Sequence, residues 1–351
     1  MINLVNMKSI NIIKKAQLWL GFFIVFGLVS CNNRSNIINI NGFTMGTTYS
    51  IKIIENDNNN LEAKSIKSKI DSTLQVINMQ MSTYINNSEI SIFNRRVDNN
   101  WQEISDNFYY VVKNANEISN LTNGAFDITV GPLMELWGFR TTNKELWNPP
   151  TNEEVLSVKN YIGFNNIEIQ DNAIRKLNPN LQIDLNAIAK GYGVDVVFEL
   201  LQKLGFVDIL VEIGGEVRCT GLNQDGKYWS IGIDKPIYDV MPGSDLQDFI
   251  FLKNSALATS GDYRNYFYYE NKIYSHTINP ISGYPVEGGP ASVSVMASNC
   301  LIADALATAL MVMGKEGLSL IESLDNVEAL LIQRISENEF KVIKSSGWIS
   351  N

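Results

Sequence analysis

The sequence predicts an α+β protein of mixed, mostly antiparallel sheets with packed helices. Three observations carry that reading. Strand-like and helix-like segments alternate irregularly along the chain, without the steady strand–helix–strand rhythm of a doubly wound sheet. Ile66, Ile70, Leu74, Ile77 and Met81 recur at helical spacing, the pattern of one amphipathic helix. Asp171-Asn172 and Glu270-Asn271 are turn signals between short β-rich runs, as in hairpins.

The elements follow in order. The run from Asn41 to Ile53 starts the folded part, and its second half alternates like a strand. Met45-Gly46-Thr47 within it suits the close approach of a ligand, or a bulge. After the 66–81 helix, Ser88 is placed to cap a short helix over Glu89 to Phe93, and Ser105 or Asp106 to cap a longer one carrying Val111, Val112, Ala115 and Ile118 inward. Gly124 is its stop signal. Residues 141–150 read as a loop, and 151–158 as a short helix. Residues 167–177 read as a hairpin turning at Asp171-Asn172. A strand is expected to end at Asp184, with Asn186 capping the helix that presents Val194, Val197 and Leu201 to the core and stops at Gly205. Residues 207–213 read as a buried strand entering Gly214-Gly215. Residues 217–222 and 228–233 are expected to pair with each other, 239–248 to form a loop, and 250–258 a single strand. A hairpin over 263–277 places His276 at a strand end. A strand over 291–297 follows, then a helix over Leu301 to Met313 capped by Ser298 or Asn299 and stopped by Gly314. A helix near 318–324 and strands at 327–333 and 340–344 finish the chain.

Composition narrows the function. With 351 residues the chain has ample material for a core, and 45% hydrophobic and 19% charged residues are globular values. A formal net charge of −9 disfavours nucleic acid as a partner, because phosphate backbones require a basic face. The first residues read as an export signal. Lys8, Lys14 and Lys15 precede an apolar run from Leu18 to Leu28, too short to cross a bilayer comfortably. Leu28-Val29-Ser30-Cys31 resembles a bacterial lipobox, which implies cleavage before Cys31 and lipidation of its thiol. The expected organisation is a signal peptide over 1–30, lipidated Cys31 with a polar tether to residue 40, and one domain over 41–351. The expected location is the cell envelope, anchored through the lipid and facing the periplasm from the inner membrane. Asn32 after the cysteine lacks the aspartate retention signal known in enteric bacteria. Cys219 and Cys300 remain, and spacing alone leaves their pairing open; no CxxC or Cys/His cluster suggests zinc or iron–sulfur.

Three groups carry chemistry. His276 is the only histidine and titrates near neutrality, as proton transfer requires. Asp304 and Thr308 lie four apart in a helical run, so they share a face that suits a hard cation such as Mg²⁺. Lys190, Gly191 and Gly193 fall in the first turns of a helix after Asp184. There a lysine, free amides and the positive end of the helix dipole suit a phosphate. Glycines at such positions cost roughly 1 kcal/mol each relative to alanine, which points to a ligand or a neighbouring chain in close approach. Asp127, set among small and apolar residues, is costly to bury unless something is paired or bound there.

Five segments in order then form one pattern: Met45-Gly46-Thr47; Met81-Ser82-Thr83-Tyr84; Ala125-Phe126-Asp127 with Thr129-Val130-Gly131-Pro132; Asp184 through Gly191; and Ser275 through Thr308. Together they resemble the ApbE family of FAD:protein FMN transferases, Mg²⁺-dependent enzymes usually found as bacterial lipoproteins. The similarity covers nearly all of the chain after the lipobox. It implies an α+β fold related to the tunnelling fold (T-fold). It implies FAD lined by Met45, Tyr84, Ala125, Phe126, Asp127, Asp184, Lys190 and Ile278. Mg²⁺ would be held by the Ala187 backbone carbonyl, Asp304 and Thr308, and His276 matches the histidine implicated in catalysis. Some members carry a second Asp between the metal-binding Asp and Thr, where this chain has Ala307. The implied reaction transfers FMN from FAD to a Thr or Ser hydroxyl and releases AMP. Acceptors in the family carry a motif of the form D-x-x-[ST]-G-A-[ST], typified by flavin subunits of membrane redox pumps. A Mg²⁺-dependent FAD pyrophosphatase releasing FMN and AMP is the alternative, and a non-catalytic flavin-binding lipoprotein is the alternative of another class.

Overall fold

The computed structural model describes residues 36–55, 61–140, 148–270, 272–336 and 339–349. The expected signal segment, Cys31 and residues 141–147 lie outside the described residues. Ile37–Asn351 form one compact unit. Among the described residues no helix is long and apolar enough to cross a membrane.

The centre is an eight-stranded sheet, antiparallel at every pairing. Its strands are β1 (Ile37–Thr44), β2 (Thr47–Ile54), β6 (Ile209–Ile213), β7 (Glu216–Thr220), β10 (Ala256–Gly261), β13 (Ser292–Ala297), β14 (Glu328–Arg334) and β15 (Phe340–Lys344), adjacent in that order. Both faces are covered, so central strands such as β6 and β13 are almost wholly apolar or small. Strand parity sends Val211, Val293 and Val295 to a helical layer and Leu210, Val217, Leu257 and Leu330 to the other face.

The helical layer holds α1 (Ala63–Met81), α3 (Asp106–Leu121), α6 (Ala189–Lys203) and α7 (Cys300–Met313). Ile66, Ile70, Leu74, Ile77 and Met81 are buried on α1, as their spacing predicts. Leu301, Leu306 and Leu310 of α7 are fully buried, and each contributes roughly 2 kcal/mol. Smaller elements frame the layer: α2 (Glu89–Arg95), β3 (Gln102–Glu103), α4 (Gly131–Leu136), α5 (Asn152–Lys159), β4 (Ile167–Gln170), β5 (Ala173–Lys176) and α8 (Leu318–Ile321). Ser88 caps α2 and Thr151 forms a capping box with Glu154 on α5. Asp171 and Asn172 both take positive φ, as a two-residue hairpin turn requires. On the opposite face lies the ribbon of β8 (Trp229–Asp234) and β9 (Leu246–Leu252), followed in sequence by the hairpin of β11 (Tyr266–Tyr269) and β12 (Lys272–Ser275).

Five expectations are corrected. The fold starts at Ile37, not Asn41, because Ile37 to Ile40 pair with Ile51 to Ile54. β7 does not pair with β8; it is interior, held by β6 and β10, and β8 pairs with β9. The expected 250–258 strand is two strands, broken where Asn254 takes φ +49°. Asp184 lies in an extended segment outside any strand, anchored by its own N–H donating to the Ile128 carbonyl at 2.6 Å. Asn186 does not cap α6, whose cap position is Ile188; the Asn186 N–H donates to Asp184 Oδ1 instead. Cys219 and Cys300 are both buried free thiols and do not pair.

Candidate active site

A cavity of about 430 Å³ opens between the helical layer, the β10 end and the β12 end. Its wall includes Tyr84, Ala125, Phe126, Asp127, Asp184, Ala187, Lys190, His276, Ile278, Asp304 and Thr308. Every predicted site residue within the described part reaches this wall except Met45. Met45 sits in the β1–β2 turn at φ +49°, with its methyl end against Gly193 of α6, where a Cβ would lie 2.9 Å from it. The missing side chain at Gly193 makes room for Met45.

Gly191 has a comparable explanation. A Cβ there would stand against the Cys300 carbonyl oxygen, with the Cys300 carbonyl carbon and Asp304 Cβ both at 2.8 Å. Its glycine therefore lets α6 and α7 approach backbone to backbone. The Gly191 N–H donates to Asp304 Oδ2 at 3.0 Å. The positive start of α6 thus receives the chain's own carboxylate, which corrects the reading of that turn as an open phosphate cradle. Because Gly191 donates to Asp304, the Ala187 carbonyl receives no hydrogen bond from any described residue. The α7 start is fixed separately: Asp195 accepts from the N–H groups of Cys300 (2.9 Å) and Leu301 (2.8 Å) and pairs with Arg218 at 2.7 Å.

Asp304 and Thr308 project from one face of α7, as their spacing predicts, and Thr308 Oγ1 lies 3.2 Å from Ser260 Oγ at the end of β10. Burial raises the Asp304 carboxyl above its ordinary value, with Lys190 and the Gly191 N–H opposing. Lys190 forms an ion pair with Glu216. Burial works against the Lys190 charge, but Glu216 and Asp304 outweigh it and hold the ammonium above its ordinary value. Burial pushes Glu216 up to about 7, and its Oε2 has no partner among the described residues. Ala307 is fully buried in the core and does not line the cavity.

Among the described residues Asn265 is the hydrogen-bond partner of His276. Asn265 O accepts from the His276 N–H at 3.1 Å and lies 3.0 Å from Nδ1. A carbonyl only accepts, so Nδ1 carries the hydrogen and Nε2 keeps its lone pair. Burial lowers the His276 pKa, the Lys190 charge lowers it further, and the Asn265 carbonyl opposes both. The ring is thus neutral near pH 7 and able to accept a proton.

Asp127 lies on the cavity wall and is held by three donors. Its Oδ1 accepts from Thr129 N and Oγ1 at 2.7 Å each, and its Oδ2 from Phe164 N at 2.9 Å. Those three donors offset the cost of its burial. Asp184 forms an ion pair with Arg140. Tyr84 reaches the rim while 75% exposed, an open aromatic face of the kind that planar rings stack on.

Residues 45–331 match the profile of the ApbE family. The chain belongs to the ApbE family. A FAD:protein FMN transferase of Vibrio cholerae is 40% identical over 324 residues, covering 92% of this chain and 94% of the relative. One of Haemophilus influenzae is 37% identical over 325 residues, covering 91% and 92%. The solved flavin transferase ApbE of Vibrio cholerae superposes with a TM-score of 0.80 at 40% identity, over 89% of this chain and 98% of that one. The apo flavinyl transferase ApbE of Pseudomonas stutzeri does so at 0.79 and 32% identity, over 89% and 95%. The α+β fold of mostly antiparallel sheet is the one these ApbE structures share.

Sequence reasoning missed several wall residues of this ApbE chain: Arg140, Glu216, Arg264 and Asn265. Glu216 had a usable signal, a carboxylate directly after Gly214-Gly215 at a strand start, where the two glycines take φ +62° and +105°. Asn265 had none, because it acts through its backbone carbonyl.

Proposed function

We propose that this ApbE-family chain moves FMN from FAD to a Thr or Ser hydroxyl of an acceptor protein and releases AMP. The observation that carries this reading is the His276–Asn265 contact, which leaves Nε2 as a base on the wall it shares with Lys190, Asp304 and Thr308. Mere flavin binding calls for no oriented base.

The donor set suits Mg²⁺. The Ala187 carbonyl without a donor, the buried Asp304 carboxylate and the Thr308 hydroxyl are hard oxygen ligands. Among the described residues no cluster of three or more His, Cys, Asp or Glu forms an all-protein cage. That fits a cation which completes its shell with water and substrate phosphates. Bound there with the pyrophosphate, Mg²⁺ would neutralise charge that develops on the phosphoryl oxygens. The chain's own residues do the rest. His276 Nε2 takes the proton of the acceptor hydroxyl as its oxygen bonds to the FMN phosphorus. The bond from that phosphorus to the bridging oxygen breaks, and AMP leaves with that oxygen. Lys190 stands where it can balance negative charge on the phosphates, with Glu216 holding its ammonium in place.

Lipidation at Cys31 and residence in the cell envelope belong to the same proposal, supported by the lipobox-like Leu28-Val29-Ser30-Cys31. So do acceptors of the D-x-x-[ST]-G-A-[ST] type. The test incubates the chain lacking residues 1–30 with FAD, Mg²⁺ and an acceptor domain bearing that motif. Flavin fluorescence on the denatured acceptor, with one AMP per label, is the expected outcome. Free FMN without labelled acceptor identifies a pyrophosphatase instead.

A further inference from the structure

The catalytic cavity shares a wall with a second one. This neighbour, of about 470 Å³, lies between the 235–245 loop and the 263–266 segment, and both cavities are lined by Asp234, Arg264 and Asn265. Asn265 is the residue whose carbonyl orients His276. Whatever occupies the second cavity therefore lies one residue away from the base.

The groove is built rather than loose. Asp234 accepts from Gly243 N–H at 2.9 Å and pairs with Arg264 at 3.1 Å, tying the loop to the shared wall. Lys235 pairs with Asp245 at 2.8 Å and closes the loop's base. Tyr266 donates its hydroxyl to Asp239 at 3.0 Å, with the Tyr238 ring edge-on at 4.7 Å. At the tip Met241 is 80% exposed.

We propose that this groove seats the acceptor polypeptide on either side of the modified hydroxyl, a proposal that rests on the transfer reading above. Three features select that occupant. A hydroxyl must come within hydrogen-bond reach of His276 Nε2, about 3 Å, while FAD fills the first cavity, so it enters from an adjoining space. The named ionic groups are three carboxylates, Asp234, Asp239 and Asp245, against two cations, Lys235 and Arg264. That balance repels the multiple charges of a further nucleotide phosphate more than a polypeptide segment that carries the single aspartate of the acceptor motif. The exposed thioether of Met241 offers an adaptable apolar contact of the sort that accommodates varied side chains.

The test replaces Met241 with Glu in the chain lacking residues 1–30. Met241 is exposed, so the fold is expected to stand. With an acceptor domain bearing D-x-x-[ST]-G-A-[ST], the expected result is a KM for acceptor raised about tenfold. kcat at saturating acceptor and FAD affinity by fluorescence quenching should be unchanged. Val240→Glu, one residue away, should reproduce the effect. An unchanged acceptor KM in both variants, with normal labelling by the parent, overturns the groove and leaves the transfer reading standing. A parent chain that binds FAD but labels no acceptor overturns the transfer reading itself, and the groove with it. Sedimentation showing a dimer that either variant dissolves assigns the groove to a second copy of this chain and also overturns the proposal.

Discussion

Gly191→Ala tests the packing of the two site helices. One methyl group would press on the Cys300 carbonyl and stand 2.8 Å from Asp304 Cβ. Neither obstacle is a flexible side-chain tip, so α7 must shift as a body. Overpacking of this kind costs about 1–3 kcal/mol, and alanine in a helix returns about 1 kcal/mol over glycine. We expect a net loss near the upper end, about 2 kcal/mol, because backbone must move rather than a rotamer. The same shift strains the Gly191 N–H bond to Asp304 Oδ2 and moves Asp304 and Thr308 relative to the Ala187 carbonyl. The Mg²⁺ concentration for half-maximal transfer should therefore rise about tenfold, the equivalent of about 1.4 kcal/mol. Gly193→Ala is the internal control. Its Cβ would meet Met45 Cε at 2.9 Å, the free end of a flexible side chain that can swing aside. Urea unfolding and Mg²⁺ titrations of both variants decide the matter. A Gly191→Ala protein within about 0.5 kcal/mol of the parent, with an unchanged Mg²⁺ curve, would refute the argument that this glycine exists to seat α7.

The remaining outcomes are more direct. His276→Ala should abolish acceptor labelling while FAD quenching survives; undiminished labelling would remove His276 from its role. Since burial lowers the His276 pKa, the neutral base persists below the ordinary value of 6.5. The acid limb of kcat/KM should accordingly lie below pH 6.5, and a limb above it would contradict the assigned tautomer and environment. Asp304→Ala should raise the Mg²⁺ requirement at least tenfold, read by titration after chelation. Asp195→Ala removes the acceptor of two α7 amides and the nearer acidic partner of Arg218, a loss of about 3 kcal/mol in urea unfolding if that buried pair anchors α7.

Local signals placed most elements because they act locally: Ser88 and Asn299 cap helices through their own side chains. Strand partnership was harder to read. β8 follows β7 closely in sequence, yet β7 is claimed on one side by β6, its neighbour across Gly214-Gly215, and on the other by β10, which lies outside any short window. The site shows the same division. Asp304 and Thr308 were legible because one helix sets their spacing. The reason for Gly191 was not, since its close neighbour, Cys300, lies across a different helix. The packing of Met45 was not legible for a similar reason: its contact with Gly193 is tertiary and leaves no trace in the motif.

Charge bookkeeping across the cavity bears on the proposed divalent cation. Lys190 is paired with Glu216, Arg140 with Asp184, and Arg264 with Asp234. The three wall cations named here are therefore already compensated before substrate arrives. Asp304 has only the Gly191 N–H and the distant Lys190 charge to offset its own. A pyrophosphate entering this wall alone would add negative charge to a site that carries a surplus of it, at a cost that burial magnifies. Entry together with a divalent cation would reverse the sign, with Asp304 and the Ala187 carbonyl as the chain's groups that would hold it. Lys190 then needs only to lean from Glu216 toward a phosphate oxygen. Glu216, with burial pushing it up to about 7, can take a proton as that happens. On this account FAD binds weakly without divalent cation and more tightly with it. Equal FAD affinity in chelator and in Mg²⁺ would mean that one of the three cations leaves its carboxylate unaided.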